Sequence, residues 1–475
     1  MDASFAPPRS IVIIGGGFAG SVAALKLFDH TTVPLAISII ERRSELGRGV
    51  AYSTTEPVHL VNGPARIFSL YPDDPEHLVR WLQDHGAENG WIPPDDVADS
   101  SPPRWLFGTY VQAELQHAIS RAGQYSTLRH IQASATEIRT ELNSVQVSIS
   151  TGTTVFADEA ILALGAFQGE PSDVEAAVTD HPAFVGNPWN PQALDRLVNA
   201  KNLLLVGSSL SMVDVVASME MRGYRGHYHV LSRRGQVVDG RRDAEPWHDF
   251  LSEKPLPVTA RTLLSLVKSE RRAVAAAGQD WQALPVAIRP HILALWQGAS
   301  DSERLRFNRH LRPFWDVTAH RSAPPSHHSV ANAKKEGRLT SAAGRIQAFE
   351  PEDTGIAAVI RRRSTGKTER ITFDGVVNCR GHQQHDWRKI PDPFIRYLLA
   401  SGEVRPHGTG FGIDATSNGA VINANGQVHG NLHAIGHPLR GVAWESSSIT
   451  EQLAQAIALA ERLLSKVSMK RAAAS

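Results

Sequence analysis

At 475 residues the chain exceeds one ordinary domain, and its 42% hydrophobic content can fill two or three cores, so a multidomain globular protein is expected. With 49 basic and 48 acidic residues the formal charge is +1, which excludes the whole-chain basic field that draws proteins to nucleic acid. Met1 to Arg9 lacks the pattern of a secretory signal and no apolar run approaches the roughly 20 residues of a membrane span, so no membrane contact and a cytoplasmic location are expected.

Ile11 to Ile14 is an uninterrupted β-branched run, the pattern of a parallel strand buried on both faces. Gly15-Gly16-Gly17-Phe18-Ala19-Gly20 follows at once, then a helical pattern at Val22, Ala23, Leu25 and Leu27, then a second strand, Ile37 to Ile40, ending at Glu41. In such a βαβ unit Gly15 permits the tight turn, Gly17 lets backbone approach a pyrophosphate, and Gly20 lets helix and strand pack closely. The anion rests on the helix N-terminus, and Glu41 accepts bonds from the hydroxyls of an adenosine ribose.

The arrangement returns 192 positions later. Leu203 to Val206 reads as a strand, Gly207 to Met212 as a turn, Val213 to Met221 as a helix and Tyr228 to Leu231 as a strand ending beside Arg233. Gly207 matches Gly15, but Ser209 and Met212 replace Gly17 and Gly20, so looser helix packing is expected, with Ser208, Ser209 and Ser211 able to donate to phosphate. Where Glu41 stood this copy has Arg233 and Arg234, and guanidinium in place of carboxylate suits a ribose 2′-phosphate, favouring NADPH over NADH. A solvated basic turn on a domain that takes either cofactor is the other reading.

Ala160 to Gly165 and Val376 to Gly381 look like the return strands of the two halves, and Leu432 to Gly436, followed by Arg440 to Glu445 and a helix, aims another helix N-terminus at the cofactor, where flavin ring oxygens can be held. The fold class expected is α/β, with two Rossmann-like dinucleotide-binding domains, for FAD and NAD(P), and a mainly helical insertion. The FAD domain takes residues 1–168 and 384–475, the NAD(P) domain 169–240 and 332–383, and the insertion 241–331, a possible substrate lid. In the insertion Ser300-Asp301-Ser302-Glu303 opens a helix that carries Leu305, Asn308, Leu311 and Trp315 on neighbouring turns. A last helix is expected over Ile449 to Leu464. The single cysteine, Cys379, has no partner for disulfide exchange and lies in an apolar stretch, as a buried structural thiol does.

Ile13-Ile-Gly-Gly-Gly-Phe-Ala-Gly20 and Glu41-Arg-Arg-Ser-Glu-Leu-Gly-Arg-Gly-Val-Ala-Tyr-Ser-Thr54 resemble the bacterial FAD-NAD(P)-binding protein family, which includes an FAD-dependent urate hydroxylase. Tyr71 to Pro75, Arg309 to Asp316, Pro438 to Gly441 and Trp444-Glu445 share the resemblance. It implies that Gly15, Gly17, Gly20, Glu41 and Arg42 lie in the FAD motif, and that the 47–54 loop passes near the flavin. Phe18 and Ala19 inside that motif, and Gly165 and Gly436 at the strand returns, complete the expected contacts. One departure is His437, where related flavoproteins often place an Asp on the ribityl chain.

These features point to an FAD-dependent, NAD(P)H-using monooxygenase that hydroxylates a small organic substrate through a flavin hydroperoxide, with O2 as co-substrate. Urate is the named candidate, and Arg309, His310, Arg312, His320 and Arg321 are the substrate candidates in the insertion. Two alternatives stay open: a flavin reductase or dehydrogenase without oxygen insertion, and a non-catalytic flavin-binding sensor. No residue stands out as catalytic, and no metal-ligand spacing is present.

Overall fold

The computed structural model describes residues 8–252, 255–381 and 384–472. Two separate sheets organise it. The first runs in the order Ala420–Ile422, Val428–Ala434, Glu159–Leu162, Arg9–Ile14, Leu35–Ile40, Thr127–Ile131, parallel throughout except for the edge pair at 420–434. Ile11 to Ile14 are all buried, which explains a strand with no polar face. On one side lie the helices Phe18–His30, Arg104–Arg121 and Ile449–Ala472. The helix Phe18–His30 is sandwiched between sheet and neighbours, so it is buried from Phe18 to Phe28 with only Ala19 half-exposed. Leu25 and Leu27 are fully buried there, and truncating either to Ala costs about 2 to 5 kcal/mol. The other face is covered by a three-stranded antiparallel sheet, Ala135–Thr140, Val145–Ile149 and Thr154–Ala157, and by the helix Pro393–Ala400.

The second sheet runs Thr368–Phe373, Gly355–Arg362, Leu339–Glu352, His227–Ser232, Asn202–Val206, Gly375–Asn378, Phe184–Val185. The five strands from Leu339–Glu352 to Phe184–Val185 are parallel, and the two at the other edge are antiparallel. Two parallel α/β sheets and a helical insertion are the fold class the sequence implied.

Three local readings need correction. The second dinucleotide helix starts at Leu210, not Val213, because Ser209 is extended and caps it. The expected limit of the insertion at 331 falls inside the helix Pro324–Lys335, whose Val330 and Ala333 enter the core of the second sheet. The helix expected from 301 through 315 is broken: Asp301–Arg306 is α-helical, Phe307–Leu311 is a π-turn, and Arg312–Thr318 is a new α-helix. Pro313 is the cause, since it has no N–H to donate and its ring clashes with the carbonyl four residues back. Ser300 does cap this run, accepting from the Glu303 amide. The last helix reaches Ala472, beyond Leu464.

Candidate functional site

The two dinucleotide turns superpose in their bonding. The Gly15 amide donates to the Ile40 carbonyl at 2.9 Å, and the Gly207 amide to Leu231 at 2.9 Å. The Ala163 amide meets Ile14 at 2.9 Å, and Cys379 meets Val206 at 2.8 Å. Gly15 has φ +105° and Gly207 φ +117°, so each turn needs a residue without Cβ. A Cβ on Gly15 would lie 2.5 Å from the Ala163 carbonyl oxygen, and one on Gly207 2.4 Å from that of Cys379. Gly17 and Ser209 then cap their helices in the same extended conformation, with ψ −164° and −160°. Neither cap carries a side-chain hydrogen bond and neither first turn holds an acidic residue, which leaves both N-termini to an anion.

The copies differ at the third position. A Cβ on Gly20 would sit 1.9 Å from the Gly15 oxygen, so the first helix packs where only glycine fits. Met212 is fully buried among Val213, Val216 and Leu205, so the second helix stands far enough off to admit a side chain.

Around the first turn, Glu41 accepts from the Gly16 amide at 2.9 Å and from the Arg43 amide at 3.0 Å. A carboxylate offers about four acceptor sites, so ribose hydroxyls still have room on it. The 47–54 loop closes over the turn: the Gly47 amide donates to the Gly16 carbonyl at 2.8 Å, and a Cβ on Gly17 would lie 3.2 Å from Gly49 Cα. Phe18 packs on Tyr52 and Phe107, each at 5.8 Å between ring centres. Gly436, at φ +73°, lies against Ala19, where its Cβ would be 3.3 Å from that of Ala19. The cradle therefore fits an adenine dinucleotide of flavin: a glycine floor, an uncapped helix end, and a carboxylate one strand away. Gly165 is exposed at the edge of this region and Arg42 points to solvent.

After Gly436 the chain makes a short 3-10 turn, His437–Leu439, and the last helix begins only at Ile449, so no helix N-terminus follows directly. Burial and then Arg440 push the His437 imidazole down to about 4, which keeps it neutral where an Asp would be charged.

The remaining candidates separate. Arg233 is exposed, with its carbonyl 3.3 Å from the Arg363 guanidinium, whereas Arg234 stacks on Phe314 at 4.2 Å and is committed to the insertion. Ser208 is buried while Ser209 and Ser211 are half-buried. Arg309 and His310 lie on the surface of the π-turn. Arg312 stacks over Phe411 at 5.0 Å and bonds Asp316 at 3.2 Å, and His320 lies 3.6 Å from Glu445. Arg321 turns away, donating to the Gln282 carbonyl at 3.2 Å; burial, then Arg289 and Arg241, push it down to about 10.

The sequence reading missed what Arg312 and His320 face. Arg440, 8% exposed, stacks on Trp444 at 4.9 Å, and Phe411 lies 5.5 Å from Trp444. The Trp315 indole donates to Glu445 at 2.7 Å. Burial alone would raise Glu445, but His320 and Trp315 outweigh it and hold the carboxyl down at about 2. Both amide atoms of Asn308 are buried without a partner. The nearness in sequence of Arg440, Trp444 and Glu445 was the available signal; Phe411 carried none.

Two largely parallel α/β sheets, each with a glycine turn of the same bonding, are joined in one chain. Residues 12–167 match the model of the family described as FAD-NAD(P)-binding, so this part of the chain carries an FAD-NAD(P)-binding domain. The uncharacterized protein YdhS of Escherichia coli K12 is 25% identical over 221 residues, 45% of this chain, and the match spans only 40% of that relative's length. Among solved structures, the ornithine N-hydroxylase of Kutzneria sp. 744 covers 98% of this chain and 100% of its own at 13% identity, with a TM-score of 0.62. The FAD-bound cadaverine monooxygenase of Erwinia amylovora covers 96% and 94% at 9% identity, with a TM-score of 0.65. These likenesses establish a shared fold. Among the described residues no helix is long and apolar enough to cross a membrane.

Proposed function

We propose that this chain is an FAD-dependent monooxygenase that takes its electrons from NAD(P)H and oxygenates a small organic molecule. The observation that carries the reading is the pair of glycine turns with the same hydrogen bonds and uncapped helix ends, Gly15 to Phe18 and Gly207 to Leu210. One fits FAD and the other a nicotinamide dinucleotide. Bound flavin supplies the redox chemistry, accepting two electrons and reacting with O2.

The protein's own part is to bind, orient and exclude water. The helix end at Phe18 and the Glu41 carboxylate hold the diphosphate and ribose of FAD, an N-terminus contributing about 0.3 to 2 kcal/mol to anion binding. Ser209 and the helix end at Leu210 hold the second diphosphate, and Arg233 meets a 2′-phosphate. The cluster of Arg312, Arg440, Phe411 and Trp444, with His320 on Glu445, forms the polar and aromatic wall that receives substrate. Cys379 is 2% exposed and burial pushes its thiol up, so it supports no relay of electrons through sulfur.

The test is anaerobic mixing of the purified yellow protein with NADPH and, separately, NADH, followed by admission of O2. Bleaching of the flavin by a nicotinamide is expected. A panel of urate, ornithine, lysine and cadaverine then asks which compound accelerates NAD(P)H oxidation and yields a hydroxylated product. Flavin that bleaches but gives only reduced acceptor or peroxide over the panel favours a reductase; flavin that stays oxidised with both nicotinamides removes the enzyme reading.

A further inference from the structure

The helix Leu210–Met221 and its cap Arg222 carry a polar stripe through an otherwise apolar surface: Asp214, Ser218 and Arg222, spaced four residues apart. Asp214 is 4% and Ser218 0% exposed, although a buried polar group without a partner is costly. Each has a partner on the first domain. Arg104 grips Asp214 with two bonds, at 2.9 and 3.2 Å, and its Nε donates to the Leu60 carbonyl at 3.0 Å. His59, 1% exposed, bridges Ser218 Oγ at 3.0 Å and Thr54 Oγ1 at 2.8 Å. Glu56 takes Arg222 through two parallel bonds of 2.7 Å, and Arg222 Nε holds Asp195 at 2.7 Å.

The two anchored elements also touch the cofactor turns. Segment 47–60 begins on the Gly16–Gly17 backbone and ends on the stripe, while the helix it grips begins at the second dinucleotide turn. We infer that Glu56, His59 and Arg104 are positioning residues that key the second dinucleotide helix to the first domain, and so set where a nicotinamide lies relative to the flavin, a role that presupposes the two cofactor assignments above.

The chemistry of the three pairs is unlike at each step, acid to base, imidazole to hydroxyl, base to acid. Neighbouring stripe residues are about 6 Å apart along the axis. A slide of one turn toward the N-terminus would bring Arg222 against His59 and Ser218 against Arg104, leaving Glu56 buried and unpaired. Buried ion pairs add little net stability over apolar residues of similar shape, but breaking one half is costly, so they select one arrangement. A shift of about 1 Å between reacting groups can cost roughly 100-fold in rate, so this selection bears directly on electron transfer.

The experiment removes a pair without stranding a buried charge, since Asp195, the other partner of Arg222, is exposed. In the FAD-loaded full chain, Glu56→Gln with Arg222→Met is expected to keep its flavin and fold. Its flavin reduction at saturating NADPH should fall about 10- to 100-fold, with amide exchange in 210–221 and 54–60 accelerated and that in 9–40 unchanged. The reversed pair, Glu56→Arg with Arg222→Glu, made together with Asp195→Asn because Asp195 would otherwise meet a like charge, should recover most of the rate. Should the first double variant fail to fold, His59→Phe with Ser218→Val removes the central key and is read the same way. Unchanged exchange and an unchanged reduction rate overturn the inference, as does a reversed pair no better than the neutral one. If the unmodified protein is not reduced by either nicotinamide, the proposed function falls, whereas the exchange pattern still decides whether the keys hold the helix.

Discussion

The same small substitution placed in each turn should separate the two cofactors. Gly15→Ala forces a residue with Cβ into φ +105°, and its Cβ would lie 2.5 Å from the Ala163 oxygen, about 1 Å inside normal contact. Strain of about 1 to 3 kcal/mol and overpacking of about 1 to 3 kcal/mol give roughly 2 to 6 kcal/mol. The strand ends are pinned by the Gly15–Ile40 and Ala163–Ile14 bonds, both 2.9 Å, so the turn and the helix end yield, and the penalty falls on the bound dinucleotide. FAD affinity should drop between about 30- and 20,000-fold. Gly207→Ala, at φ +117° and 2.4 Å from the Cys379 oxygen, should leave FAD in place and weaken the nicotinamide cofactor by a similar factor. Flavin absorbance after dialysis measures the first loss, and the concentration dependence of anaerobic flavin reduction the second. A Gly15→Ala protein that keeps its full complement of FAD through dialysis, or a Gly207→Ala protein whose flavin is reduced with an unchanged dependence on nicotinamide concentration, would refute the assignment.

Glu41→Gln removes a charged acceptor from the Gly16 amide at 2.9 Å; a loss of about 1.5 to 3 kcal/mol is expected, read as faster FAD release on dilution. Arg233→Ala should lower kcat/KM for NADPH relative to NADH by about tenfold, while Arg234→Ala, whose guanidinium is already stacked on Phe314 at 4.2 Å, should leave that ratio unchanged and lower thermal stability. Glu445 is held down at about 2 in the folded chain, below the ordinary 4.5, so the unfolded chain binds its proton first. The stability it contributes is complete above pH 4.5 and disappears as pH falls toward 2. Glu445→Gln should therefore be less stable at neutral pH and show a shallower loss on acidification, measured by denaturant midpoints across that window.

Much of the fold was legible because it rests on local sterics. A β-branched run reads as a buried strand, glycine at a positive φ has no substitute, and an offset of 192 positions brings Gly15 onto Gly207 and Ser209 onto the cap position of Gly17. The same reasoning misplaced the start of the second helix, because an extended serine cap was taken as part of a longer turn, and it carried the 301–315 helix straight through Pro313.

What residues do with their side chains depended on partners far along the chain. Asp214, Ser218 and Arg222 are visible in the sequence as a four-residue spacing, yet nothing local says that Arg104, His59 and Glu56, each more than a hundred positions away, meet them. Arg233 and Arg234 are adjacent and chemically alike; only the approach of Phe314 commits one to the insertion and leaves the other exposed. Arg312 and Arg321 likewise part company: the first opens the helix Arg312–Thr318 and stacks on Phe411, while the second lies beyond that helix and donates to the Gln282 carbonyl. Backbone shape at a turn is decided by the atoms of the residue itself, so the sequence alone determined where the two glycine turns lie; the destination of a long polar side chain is decided by whichever surface packs against it, and that only the tertiary structure could settle.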